Sequence, residues 1–306
     1  ISGFGVALQP LNLALAFVGT FVGTFVGMLP GIGPINAIAI LVPVTYALGL
    51  PPASALILLA GIYYGSQYGN SISTILLNVP GTASAVVTAI DGHAMTKQGR
   101  GGPALAMSAI ASFVGGTVSI LALVLFAPML ATWAIRFGPA EYFALMVFAF
   151  SALSSFAGGS LVRGLASTGF GLWLATIGLD PQSAIPRYTF DSLQLLDGMD
   201  FVVVTIGLFA ISEVFQLLEE TDRGQAASTS YGRVMISAKE LASSGWTMAR
   251  GSVIGFLVGV LPGAGGTIAS FLAYSTEERI SGSDGDFGNG DIRGVAAPEA
   301  ANNAAA

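Results

Sequence analysis

The first ninety residues carry no charge: the earliest Asp, Glu, Lys or Arg is Asp91. Residues 104–135 and 251–276 are also uncharged. An apolar run of about 20 residues is long enough to cross a bilayer. Only 9% of residues are charged and 53% are hydrophobic, too little charge to cover a soluble domain of this size. The expected fold is therefore all-α, a polytopic protein whose solvent is the lipid bilayer. A β-barrel would show short alternating segments instead. A cleaved signal peptide explains neither the length of the opening run nor its missing basic start. With no cysteine and one histidine, His93, disulfide frameworks, thiol catalysis and Cys- or His-rich metal sites are excluded. The net charge of −6 argues against nucleic-acid binding. Because the chain opens on Ile1 and not Met, residues are expected to precede it.

Candidate spans are 12–29, 35–50, 53–79, 104–127, 142–161, 164–179, 201–218 and 251–276. The short stretch 80–90, after Pro80-Gly81, reads as half of a re-entrant hairpin. If loop 91–103 is cytoplasmic, alternation puts 136–141 and 180–200 outside and 162–163 and 219–250 inside. Lys97, Arg100, Arg163, Arg223, Arg233, Lys239 and Arg250 then lie inside, and only Arg136 and Arg187 outside. That distribution obeys the positive-inside bias. The expected organisation is a first membrane half over 1–218, a cytoplasmic linker over 219–250 and the start of a second membrane half over 251–306.

The two halves share a repeat at an offset of 232 residues. Gly19, Gly23, Gly27, Leu29, Pro30, Gly31 and Gly33 match Gly251, Gly255, Gly259, Leu261, Pro262, Gly263 and Gly265, and Asn70 falls on Asn302. Glycines four apart make a smooth face for close helix packing. The Pro-Gly-x-Gly cores break the helix, because proline removes a backbone donor and glycine admits other backbone angles. Broken helices at matching places in two halves point to a transporter's substrate site. Half-helix N–H groups can hold an anion without a basic side chain. Gly31, Gly33 and Pro34 of the first copy and Gly263, Gly265, Gly266 and Thr267 of the second are accordingly candidate substrate contacts. The spacing leaves open whether the repeats are inverted or parallel.

Polar side chains in an apolar run need partners. Asn70, Ser71, Pro80, Gly81, Thr82 and Asn302 are further substrate candidates, with Thr82 and Ser84 near the start of a half-helix. Ser73, Thr74 and Asn78 offer oxygens to a coupling Na⁺. Glu141 and Glu213 lie in or beside apolar segments as candidate proton carriers. The run 283–294 fails the EF-hand pattern, since positions five and six from Asp284 are Gly288 and Asn289. It reads as a solvated, flexible loop.

Long stretches of the chain are distinctive: GMLPGIGP (27–34), LAGIYYGSQYGNSISTILLNVPGTASAVVTAIDGHAM (59–95), FGPAEYFALMV (137–147), GLDPQSAIPRYTF (178–190), GVLPGAGG (259–266) and GVAAPEAANNAAA (294–306). In these motifs the sequence resembles the large membrane subunit of the tripartite tricarboxylate transporters. The resemblance implies a bacterial inner-membrane secondary carrier for citrate-class carboxylates, driven by a cation gradient. It implies a periplasmic solute-binding protein and a small membrane subunit as partners, and a further membrane region after residue 306. His93 stands where the family often has an aromatic residue, which argues against a general catalytic role for it. The alternatives are a passive anion channel and a permease energised by a separate ATPase. Glu299-Ala300-Ala301 resembles the coupling loop of such permeases, but that motif expects glycine where Ala305 stands. No enzyme is expected: Gly-x-Ser-x-Gly and His-Glu-x-x-His are both missing, and no cofactor signature occurs.

Overall fold

The computed structural model describes residues 2–29, 34–134, 138–153, 161–180, 183–199, 203–204, 207–208, 211, 215, 232–261 and 265–306. Helices α1 (Ser2–Ala7), α2 (Pro10–Gly27), α3 (Pro34–Ala47), α4 (Pro52–Leu77), α5 (Ala85–Lys97), α6 (Gly101–Ala134), α7 (Pro139–Leu153) and α8 (Leu161–Ala175) come first. A two-residue pair of strands follows, β1 (Gly178–Leu179) and β2 (Pro186–Arg187). Helices α9 (Ala238–Gly259), α10 (Gly265–Ser281) and α11 (Arg293–Ala305) complete the described chain. The all-α expectation holds. Pro10 and Pro52 open their helices, where the missing N–H costs nothing.

Glycine contacts fix the packing. Gly19 lies against Leu58 and Gly61, Gly23 against Ile62, and Gly27 against Ser66. Gly61, Gly65 and Gly69 return the contact to Ala16, Thr20 and Thr24. Both residue numbers rise together, so α2 and α4 run parallel. In the second copy Gly251, Gly255 and Gly259 meet Ala297, Ala301 and Ala305, so α9 and α11 also run parallel. A Cβ on Gly23 or Gly255 would overlap the facing backbone carbonyl, which is why glycine is required there. The copies are not identical. At the repeat offset Ala301 corresponds to Gly69, but the first-copy contact sits at Ile62, about two helical turns away.

The helices α4 and α11 meet with opposite sense: Ser71 bonds Glu299, and Gln67 bonds Asn302. Since α2 is parallel to α4 and α9 to α11, the two copies are inverted. Each forms a helical hairpin, α2–α3 and α9–α10. The first turns back beyond Gly27, level with Ser66, roughly 16 Å short of the end of α4 at Leu77 by helix rise. The second turns beyond Gly259, and its returning helix passes Asn302 at Gly266 and Pro298 at Ser270. The hairpins therefore enter from opposite ends and approach the α4–α11 crossing.

A third device sits beside them. After α4 ends at Asn78, which takes the left-handed conformation (φ 55°), the chain climbs back to Asn70 before α5 begins. The stretch expected to form a re-entrant half-helix leads into α5, and the chain just before that helix lies beside Asn70, two turns back from the end of α4.

Exposure is reversed relative to a water-soluble protein. Phe17, Phe113, Val124 and Leu125 are each more than 70% exposed, while Asn70, Ser71, Thr88, Glu299 and Asn303 are buried. Apolar faces outward and polar groups inward suit a lipid solvent. Among the described residues, Pro10–Gly27 and Gly101–Phe126 are long and apolar enough to cross a membrane.

Several boundaries differ from expectation. The run 251–276 comprises parts of two helices, one ending at Gly259 and the next starting at Gly265. Helix α9 starts inside the proposed linker, at Ala238, where Ser237 and Glu240 form a reciprocal capping box. Helix α6 extends on both sides of 104–127. The expected span 201–218 lies mostly outside the described residues. Within the acidic loop 180–200, Asp180 pairs with Arg187 across the small strand pair. Glu141 accepts from the Gly138 N–H ahead of α7, a helix-start contact; Glu213 lies outside the described residues.

Candidate transport site

Asn70 on α4 holds the returning chain. Its Oδ1 accepts from Gly81 N at 2.7 Å and its Nδ2 donates to Thr82 Oγ1 at 2.6 Å. Pro80, just before, needs no donor partner. Thr82 and Ser84 hydroxyls lie 3.0 Å apart, with Ser84 at the N-cap position of α5. Asn70, Gly81 and Thr82 thus form one unit with the positive end of α5.

On the next residue of α4, Ser71 Oγ lies 2.8 Å from both carboxylate oxygens of Glu299. Thr88 of α5 donates at 2.8 Å, and Ser108 and Ser112 of α6 at 3.1 and 3.3 Å. Asn303 Nδ2 donates to Ser112 Oγ and to the Glu299 carbonyl. A buried carboxylate is thereby ringed by four hydroxyls from three helices.

The other sequence candidates take distinct places. Asn302 Nδ2 donates to Gln67 Oε1 at 3.2 Å, and a Cβ on Gly266 would run into Asn302 Oδ1. Gly265 opens α10 at φ 53°, with the half-buried Thr267 two residues on. Pro34 is buried at the start of α3. The hydroxyls of Ser73 and Thr74 both donate to the Asn70 carbonyl. Asn78 lines a cleft of about 340 Å³ with His93 and Lys97. Gly31, Gly33 and Gly263 lie outside the described residues. Among the described residues no cluster of three or more His, Cys, Asp or Glu could hold a metal ion.

Sequence reasoning missed Glu299 as a site residue, along with Gln67, Thr88, Ser108 and Ser112. The signal was present in the repeat, whose offset places Gln67 on Glu299 as well as Asn70 on Asn302.

At the end shared by Lys97 and Arg100, Asp91 organises the loop after α10. It accepts from Tyr274 Oη at 2.6 Å and from the N–H groups of Gly288, Gly290 and Asp291 at 2.8–2.9 Å. Gly288 and Gly290 have positive φ, as such a cradle requires. The loop expected to be flexible is instead wrapped around a buried carboxylate. Burial pushes the Asp291 carboxyl up, but Arg293 and backbone donors outweigh it and hold it below the usual carboxylate range. The Ser237 hydroxyl, with Arg100 adding to it, holds Glu240 below that range too.

This inverted arrangement defines a membrane protein of the transporter type. A family model described as "Tripartite tricarboxylate transporter TctA family" matches residues 13–306, and the chain belongs to that family, whose members are transporter components and not enzymes. An Agrobacterium vitis protein described as "Uncharacterized 52.8 kDa protein in TAR-I ttuC' 3'region" is 43% identical over 304 residues, 99% of this chain and 60% of that protein. The chain thus spans less than two thirds of that relative. A second Agrobacterium vitis protein, described as "Uncharacterized protein in TAR-II ttuC' 3'region", is 58% identical over 52 residues, 17% of this chain and 22% of its own length. No solved structure matches.

Proposed function

We propose that the chain is part of the large membrane subunit of a secondary carrier that imports small organic carboxylates of the tricarboxylate class, citrate among them. A cation gradient drives it. A periplasmic solute-binding protein delivers the substrate, and a small membrane subunit completes the complex in the bacterial inner membrane.

The observation that carries this reading is the meeting of two oppositely oriented hairpins at the α4–α11 crossing, where Asn70, Ser71 and Asn302 are buried. Inverted copies around a mid-membrane polar site are the geometry of alternating access. The α5 N-terminus offers backbone N–H groups beside Thr82, and residues 15–90 contain no basic side chain. A bound carboxylate would therefore be held by hydroxyls, amides and helix ends. Ser73, Thr74 and Asn78 supply oxygens that suit Na⁺, though as scattered donors and not as an acidic cage.

The test is substitution of Gly31 or Gly263 by valine in the complete complex. Uptake of labelled citrate should disappear while membrane insertion is retained. Normal uptake by both variants would sink the site assignment. Uptake that never exceeds equilibrium in the unmodified complex would point instead to a passive channel.

A further inference from the structure

Glu299 is 1% exposed, and its partners are the hydroxyls of Ser71, Thr88, Ser108 and Ser112. None of these is cationic. A buried charge without a counter-ion is costly, and acids placed this way inside membrane proteins mark ion or proton routes. Around it, α4 presents Tyr68 and Ser71, α5 presents Thr88, and α6 presents Ser108 and Ser112. Arg250 of α9 bonds Glu277 of α10, Tyr274 of α10 bonds Asp91 of α5, and Glu278 lies on the Asp91 side.

The hydrogen-bond arithmetic allows two states. An ionised carboxylate accepts at about four lone-pair positions, which the four hydroxyls fill. Ser71 Oγ also lies 3.4 Å from the Gln67 carbonyl. When a proton arrives from water, the Glu299 O–H can donate to Ser71 Oγ, and the Ser71 proton turns to that carbonyl. Every group stays paired in both states. The hydroxyls reach the carboxylate at direct donor distance, as a proton site requires.

The repeat sharpens the point. The matching position in the first copy is Gln67, a neutral amide that bonds Asn302. At this matched pair of positions the acid is what distinguishes the second copy. Ser71 adjoins Asn70, so a change at Glu299 reaches the Asn70–Gly81–Thr82 unit directly.

We infer that Glu299 is the proton-binding group that couples substrate movement to a proton gradient, with Ser71 relaying its state to the substrate site. This rests on the carrier reading above. The test uses the full-length subunit in its complete complex, in proteoliposomes, as wild type and as Glu299→Gln. The variant keeps the side chain's size and copies Gln67. Two readouts are taken: counterflow and gradient-driven accumulation of labelled citrate, and the infrared C=O band of a protonated carboxyl on acidification. E299Q is expected to lose accumulation driven by an inward proton gradient and to lose the band, with counterflow measured alongside to report on the conformational cycle. Wild-type accumulation by E299Q would overturn the inference. Loss of counterflow would also overturn it, because Glu299 would then serve the conformational cycle itself. If the wild type moves no carboxylate, the carrier reading fails, and the infrared band alone decides: lost in E299Q, it upholds proton binding at Glu299; unchanged, it refutes it.

Discussion

Asn70 does two jobs with one amide, and each has a measurable consequence. Asn70→Ala leaves the Gly81 N–H buried without a partner, a loss of about 1–3 kcal/mol. The complex should still assemble, with a lower thermal midpoint, but citrate uptake should fall sharply because the α5 start is no longer anchored. Unchanged uptake would remove Asn70 from the site. Gly255→Val is a packing test. Its side chain would press on the Ala301 carbonyl, with a cost at or above the usual 1–3 kcal/mol of overpacking. Reduced yield of folded protein in detergent is the expected result. At this scale the sequence was informative where chemistry stands out locally. Asn70 is conspicuous in an apolar run, and Pro80-Gly81 marks a break. Glu299 was not conspicuous, since its ring of Ser71, Thr88, Ser108 and Ser112 comes from helices about 190 to 230 residues away.

Among the elements, the α9–α10 hairpin is pinned by the Arg250–Glu277 pair, with Thr247 also donating to Glu277. Glu277 is almost fully buried, so Arg250→Met leaves an unpaired carboxylate and should cost about 3 kcal/mol. Faster proteolysis within α9–α10 would report it. The loop after α10 makes a pH prediction. Asp291 has a folded pKa below its unfolded one, so the stability it adds is present above the unfolded value and lost as pH falls through the folded one. The protection factors of the amides over 285–292, corrected for intrinsic exchange, should therefore fall as pH drops below about 4. Helix positions were legible from uncharged runs, but their ends were not. The start of α9 depends on a cap formed by Ser237 and Glu240, ahead of the apolar stretch. The loop 283–294 looked solvated because its order comes from Asp91, far away in sequence.

For the whole molecule, the repeat was legible but its sense was not. Helix sense depends on the number of crossings, and the α2–α3 hairpin turns back before reaching the far end. The antiparallel pairs Ser71–Glu299 and Gln67–Asn302 settle it as inverted. These 306 residues hold no cysteine, so an engineered pair in a background cleared of any other cysteine tests this. Gln67→Cys with Asn302→Cys should be bridged within one chain by a short bifunctional methanethiosulfonate, which links each thiol through a disulfide, and bridging should arrest uptake until a reductant restores it. The central claim is that these inverted halves form a carrier driven by a cation gradient. The most direct measurement is labelled citrate uptake by the complete complex and its binding protein in proteoliposomes, with and without inward proton and Na⁺ gradients. Accumulation above equilibrium only when a gradient is present is the predicted result. Uptake that merely equilibrates under every gradient would contradict the account.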